Sequence, residues 1–122
     1  MGNKTILVID DSMTDFLYVK NILAQGGYQV AYAQSAKQGI EEAQKMQPDC
    51  ILMDVVMPEV NGFQATRLLT RDVATADIPI IMLSSKSQKT DKVWAERQGA
   101  KHYITKPANP KILLSTLSGI LA

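Results

Sequence analysis

Asp54 closes the apolar run Ile51-Leu52-Met53, and three other apolar runs in the 122-residue chain end on a reactive or charged group in the same way. Thr5-Ile6-Leu7-Val8-Ile9 ends in Asp10-Asp11, Ile78 to Leu83 ends in Ser84-Ser85, and Ala100 to Thr105 runs into Lys106-Pro107. Carboxylates brought into one cleft repel each other, and a hard divalent cation held by oxygen atoms relieves that repulsion. Asp11 and Asp54 are assigned as direct ligands of Mg²⁺, the backbone carbonyl of Val56 as a third, and Asp10 as mainly water-mediated. Mn²⁺ fits the same oxygens. Beside such a cation, Lys106 neutralises and Ser84 hydrogen-bonds the oxygens of a tetrahedral dianion. Asp54 is then the candidate nucleophile, because a carboxylate can carry a phosphoryl group covalently. Each residue alone has a plainer reading, as a helix cap, a solvated turn or a surface lysine. The recurrence at four strand ends, with proline after the lysine, points to a built pocket.

The elements that must position these groups are five β-α units. Residues 4–9 are uninterruptedly β-prone, as in a parallel strand covered on both faces. Ser12 is a helix N-cap with Asp15 three residues on, and Met13, Phe16, Leu17, Val19, Ile22 and Leu23 form an apolar stripe that Gly26-Gly27 ends. Tyr28 to Ala33 is a second strand. Ser35, with Gln38 as its reciprocal partner, caps a helix whose inner face is Ala36, Ile40, Ala43 and Met46, with Gly39 allowing close packing. Pro48 stops that helix and Asp49 to Met53 is the third strand. A loop over 55–62 is punctuated by Pro58 and Gly62, and Phe63, Ala65, Thr66, Leu68 and Leu69 start another helix. Pro79 stands near the start of the fourth strand, where a missing N–H costs least. A fourth helix covers about 88–98 and contains Val93 and Trp94, with Gly99 closing it. Asn109 caps the last helix and Pro110 occupies its first position, ahead of Ile112, Leu113, Leu114, Leu117, Ile120 and Leu121. Alternating short strands and helices predict an α/β fold, a doubly wound open parallel sheet of five strands with five helices. Ligands of such sheets bind outside the carboxyl ends of the strands, which collects Asp10, Asp11, Asp54, Ser84 and Lys106 at one rim.

Composition excludes several alternatives. Thirteen basic against twelve acidic residues leave a formal charge of +1, so no global field favours nucleic acid or an anionic membrane. No apolar stretch reaches membrane-spanning length and no signal peptide opens the chain, which places it in the cytoplasm with no membrane insertion. Gly2 does not begin a myristoylation motif, because position 6 is Ile6 rather than a hydroxyl residue. One Cys and one His exclude thiolate or paired-histidine metal sites, and Cys50 reads as a small core hydrophobe. No glycine loop of the phosphate-cradling type is present, so a bound nucleotide is not indicated.

Asp10-Asp11, Asp54-Val55-Val56-Met57-Pro58, Gly62, Ser84-Ser85 and Lys106-Pro107, in this order, resemble the motifs of bacterial two-component response-regulator receiver domains of the chemotaxis-regulator type. The resemblance covers effectively the whole chain. It implies the flavodoxin-like strand order 2-1-3-4-5, Asp54 as phosphoacceptor, Asp10 and Asp11 handling Mg²⁺, Ser84 as a switch hydroxyl and Lys106 on the phosphoryl group. It further implies Tyr103 as an aromatic that rotates between outward and inward states, and a cis bond between Lys106 and Pro107. Serine at 84, where threonine is commoner, keeps the hydroxyl and loses the β-branch. Asn61 to Arg67, Thr90 to Trp94 and Arg97 to Ala100 are similar to stand-alone regulators of type IV pilus twitching motility. That finer resemblance implies a CheA-like histidine kinase, or its phosphotransfer domain, as phosphodonor and a pilus-motor or signalling protein downstream.

The expected output surface is formed by the fourth helix, fifth strand and fifth helix, with Arg97, Lys101 and Tyr103 as candidates. For Trp94, packing into the core is the first reading and a partner contact the second. Val56 and Lys86 flank the pocket and are expected to influence the lifetime of a phosphoryl adduct. Residues 1–122 are expected to be a single receiver domain with no output domain and no recognition helix for DNA, signalling by docking to another protein and not acting as a turnover enzyme. Two alternatives come from other classes. A phosphorylation-independent interaction module would bind its partner identically after Asp54→Asn, and a hydrolase with aspartyl chemistry would turn over small phosphomonoesters steadily.

Overall fold

The computed structural model describes residues 3–121, so Gly2 and Ala122 lie outside the described residues. Five strands, β1 (Thr5–Ile9), β2 (Gln29–Ala33), β3 (Cys50–Met53), β4 (Ile80–Ser84) and β5 (His102–Thr105), form one sheet in the order β2-β1-β3-β4-β5. All four pairings are parallel. Between the strands run α1 (Met13–Gln25), α2 (Ala36–Met46), α3 (Gly62–Arg71) and α4 (Lys89–Gln98), and α5 (Pro110–Leu121) follows β5. The chain order reverses direction across β1 and β3, and this switch point opens a crevice at the carboxyl ends of those two strands.

The strands are apolar throughout because both faces are covered. Leu7, Ile9, Ile51, Met53, Ile80 and Met82 face the layer packed with residues of α2, α3 and α4. Ile6, Val8, Cys50, Leu52, Ile81, Leu83 and Ile104 face the layer containing residues of α1 and α5. Cys50 is fully buried, and desolvation pushes its thiol up to about 12, so it packs as the expected core hydrophobe. Gly39 is buried where a β-carbon would meet the side chain of Ile9, which is the close approach of α2 to β1 expected from its sequence position.

Local hydrogen bonding moves several boundaries. Tyr28 N–H bonds Leu23 C=O in the turn after α1, so the second strand begins at Gln29 and not Tyr28. Ile78 N–H bonds Thr75 C=O and Pro79 has no N–H, so the fourth strand begins at Ile80. Ala100 N–H bonds Ala95 C=O at the end of α4, which delays the fifth strand to His102. The cap at α2 is also altered: Ser35 Oγ accepts from Gln38 N–H as expected, but Gln38 Oε1 accepts from Gln34 N–H and not from Ser35.

Not every apolar residue assigned to an inner face lies there. Phe16, Val19, Ile22 and Leu23 are buried, whereas Met13 and Leu17 are exposed. Leu17 stands one residue, about 100°, round the helix from Phe16 and is carried off the buried face. Leu68 and Ile112 are exposed for the same reason, beside buried Leu69 and Leu113. On α4 only Ala95 is buried, and Val93 and Trp94 face outward.

Candidate functional site

Pairing of Ile9 with Met53 sets the ends of β1 and β3 side by side. Asp54 N–H donates to Ile9 C=O at 2.9 Å and Asp10 N–H to Ala33 C=O at 3.1 Å, so both acids leave the sheet from backbones still pinned to the ladder. One carboxylate oxygen from each of Asp10, Asp11 and Asp54 lies within 4.8 Å of the others. A donor set of carboxylate oxygens alone, with no nitrogen or sulfur, suits a hard divalent cation. Asp10 and Asp54 are buried and Asp11 is exposed, so the cluster opens to solvent on one side.

Lys106 enters from the end of β5. Its backbone N–H bonds Ser84 C=O at 2.8 Å, and the Lys106-Pro107 bond is cis, as the family resemblance implies. The ammonium donates to Asp10 Oδ2 at 2.7 Å and to Asp15 Oδ2 at 2.8 Å, and it stands 3.6 Å from Asp54 Oδ1. Burial acts to lower the Lys106 pKa, but the hydrogen bonds to Asp10 and Asp15, with the charge of Asp54, outweigh it and the pKa is raised. The amine is therefore a fixed cation.

Asp54 is the perturbed acid. It is 8 % exposed, and its pKa is pushed up from 3.8 to about 6, first by desolvation and then by the charge of Asp10. Lys106 and the Val55 N–H, which donates to Asp54 Oδ1 at 2.9 Å, pull the other way without cancelling the rise. The acidic cluster thus holds more negative charge than the Lys106 ammonium compensates, which is the electrostatic condition for binding a divalent cation.

Gly62 fixes the loop behind Asp54. Its N–H bonds Val55 C=O at 2.8 Å, and a β-carbon there would stand 2.0 Å from the backbone oxygen of Asp54. Only glycine permits that approach. Asn61 and Gln64 then start α3 with a reciprocal capping box, each side chain accepting from the other's backbone N–H at 3.0 Å. The Asn-x-x-Gln spacing carried that signal in the sequence.

Asp15 is the site residue that sequence reasoning missed. The expected cap is present, with Asp15 N–H donating to Ser12 Oγ at 3.2 Å, but the Asp15 carboxylate turns away from the helix end to Lys106, 91 residues along the chain. Ser84 is completely buried at the end of β4, its Oγ accepting from Lys86 N–H at 3.3 Å. Tyr103 is half-buried, and its hydroxyl donates to Lys86 C=O at 2.6 Å. Burial raises its pKa above the ordinary phenol value, with the Ser84 side chain acting in the opposite direction. Val56 and Lys86 are exposed beside the rim. Arg97 and Lys101 are exposed. Trp94 corrects the core reading: it is 52 % exposed on α4, with the Arg97 guanidinium 6.0 Å from its ring centre. It faces outward because the α4 residue that reaches the core is Ala95, the next one round the helix.

A parallel sheet of order 2-1-3-4-5 with three acids at its switch point and a lysine from the last strand defines the phosphoacceptor class of signalling domains. Residues 6–118 match the response regulator receiver domain family, and the chain belongs to it. Protein PilH of Pseudomonas aeruginosa is 47 % identical over 117 residues, covering 96 % of this chain and 97 % of that protein. Among solved structures, chemotaxis protein CheY4 of Vibrio cholerae superimposes with a TM-score of 0.91 at 31 % identity, over 98 % of this chain and all of that one. The receiver domain of a sensor histidine kinase from Pseudomonas aeruginosa, with a magnesium ion coordinated in its active-site cleft, has a TM-score of 0.90 at 25 % identity and covers 98 % of each chain. Receiver domains accept a phosphoryl group and are not turnover enzymes, and the acidic cluster at the rim accords with that role. Among the described residues no helix is long and apolar enough to cross a membrane.

Proposed function

We propose that Asp54 accepts a phosphoryl group from a phosphohistidine of a CheA-like kinase or its phosphotransfer domain. The convergence of a buried, electrostatically strained Asp54 with Asp10, Asp11 and the Lys106 ammonium carries this reading. An Asp54 carboxylate oxygen attacks phosphorus, the new O–P bond forms as the N–P bond breaks, and the imidazole leaves with the electron pair of that bond. Asp11, Asp54 and the Val56 carbonyl would hold Mg²⁺ directly and Asp10 through water; Mn²⁺ would be accepted by the same oxygens. Bound there, the cation supplies positive charge to phosphoryl oxygens. Lys106 supplies a second positive charge, and its pairing with Asp10 keeps the amine protonated.

Signalling then requires that the adduct favour one of two arrangements of the rim. Ser84 donates to a phosphoryl oxygen in place of its present contact with Lys86 N–H, the loop after β4 shifts, and Tyr103 trades its bond to Lys86 C=O for a deeper position. The altered surface comprises α4, β5 and α5, with Arg97, Lys101, Tyr103 and Trp94 as contacts; an open groove lined by Lys92, Ala95, Lys101, His102 and Tyr103 lies on it. Val56 and Lys86, exposed at the mouth, set the access of water and hence the lifetime of the adduct. The likeness to PilH and to CheY4 supports a role in type IV pilus or twitching motility under a chemotaxis-like pathway, with a protein target. Incubation with acetyl phosphate and Mg²⁺ followed by intact-mass analysis tests the core of this reading. One phosphoryl adduct is expected in wild type and none in Asp54→Asn; an adduct of equal yield in both would refute it.

A further inference from the structure

Lys106 is shared unevenly. Its ammonium has three protons, and two are spent on Asp10 Oδ2 at 2.7 Å and Asp15 Oδ2 at 2.8 Å, while Asp54 Oδ1 at 3.6 Å lies beyond hydrogen-bond length. The three partners differ in setting. Asp10 and Asp54 are buried, but the Asp15 side chain is 45 % exposed and belongs to a different element, α1. Asp15 is also held in place independently of Lys106. Asp10 Oδ1 accepts from Ser12 N–H at 2.9 Å, and Ser12 Oγ accepts from Asp15 N–H at 3.2 Å, so a short relay of hydrogen bonds sets the first turn of α1 against the rim. An acid in the first turn of a helix is favourable near the N-terminal backbone dipoles, yet this carboxylate meets the ammonium at full hydrogen-bond length.

We infer that Asp15 is a positioning residue that restrains Lys106 from the phosphoacceptor, and so acts as a brake on capture of the phosphoryl group. The inference rests on the phosphoacceptor reading given above. Two effects act in the same direction. Asp15 competes with an arriving phosphoryl oxygen for the Lys106 ammonium, and its own negative charge repels the arriving dianion. Neither requires Asp15 to touch the phosphoryl group.

The test is calorimetric titration with beryllofluoride at saturating Mg²⁺, which reads capture of a phosphoryl-like group without turnover. Asp15→Asn keeps the side-chain size and removes the charge, and it is expected to bind about two- to fivefold more tightly than wild type, the scale of a partly exposed ion pair. Asp15→Glu, which keeps the charge, is expected to stay near wild type, a result that a purely packing role would not produce. In a Lys106→Met background the gain from Asp15→Asn is expected to shrink, since only through-space repulsion remains to be relieved. Unchanged or weaker binding by Asp15→Asn, or the same gain without the lysine, overturns the inference and leaves the phosphoacceptor reading standing. Absence of beryllofluoride binding by wild type overturns both. Should Asp15→Asn fail to fold, Asp15→Ser gives the same charge removal and is read by the same outcomes.

Discussion

Replacing Asp54 with asparagine removes the charge that the metal-free fold tolerates least, and the protein is expected to become more stable at neutral pH as a result. Asparagine keeps the size and retains an oxygen for the Val55 N–H, so packing and that hydrogen bond survive. The magnitude follows from the acid's displacement, from 3.8 to about 6, with desolvation and Asp10 as its main causes. A span of about two pH units at roughly 1.4 kcal/mol each sets an upper bound near 3 kcal/mol, and about 1–3 kcal/mol is expected. The sign is fixed by linkage. Because the folded-state pKa is the higher, the native protein binds more protons than the unfolded chain between 3.8 and about 6, and wild-type stability falls as pH rises through that window. Below it Asp54 is protonated in both states and the advantage of asparagine disappears. Urea denaturation of the two proteins in chelator from about pH 3.5 to 7.5 reads the difference directly. Saturating Mg²⁺ is then expected to stabilise wild type more than the variant, because the cation binds the native carboxylates. Equal stabilities at about pH 7.5, or a gain that persists undiminished at about pH 3.5, would refute the claim that buried charge at position 54 opposes folding.

Lys106→Met leaves buried Asp10 without its cation and is expected to cost roughly 1–3 kcal/mol in chelator, with part of the loss recovered on adding Mg²⁺; a thermal melt with and without the metal checks both halves. Two glycines separate a backbone clash from a side-chain one. Gly62→Ala meets the backbone oxygen of Asp54 and is expected to cost about 2 kcal/mol or more and to weaken Mg²⁺ binding, whereas Gly39→Ala meets the buried side chain of Ile9 at both γ-carbons and Cδ1 and is expected to cost about 1–3 kcal/mol of overpacking, offset in part by helix propensity of up to about 1 kcal/mol, so its denaturation midpoint should fall by less and its Mg²⁺ binding should be kept. Trp94→Ala is expected to leave stability within about 0.5 kcal/mol of wild type while abolishing the quenchable tryptophan signal of the exposed α4 surface; a larger loss would place the indole in the interior after all.

Much of the fold was legible in the chain because its signals are local. Apolar runs punctuated by Gly26-Gly27, Pro48 and Gly99 mark five β-α units, and the unbroken apolarity of Ile6 to Ile9 and Cys50 to Met53 indicates strands covered on both faces. The sites of Asp10, Asp11, Asp54, Ser84 and Lys106 were legible for the same reason: each ends a strand, and parallel strands deliver their ends to one rim. Distances between those ends are another matter. That Asp54 lies against Asp10 follows from the pairing of β1 with β3, which no local pattern records. The turning of Asp15 towards Lys106, the outward face of Trp94 and the contact of Tyr103 with Lys86 C=O each depend on how a helix or loop is rotated when it packs. Sequence alone determined which groups the rim would carry and in what order the chain supplies them. Only the tertiary structure decided which acid holds the ammonium, because periodicity constrains a residue's face within its own element while contacts between residues 91 positions apart are settled by sheet order and side-chain packing.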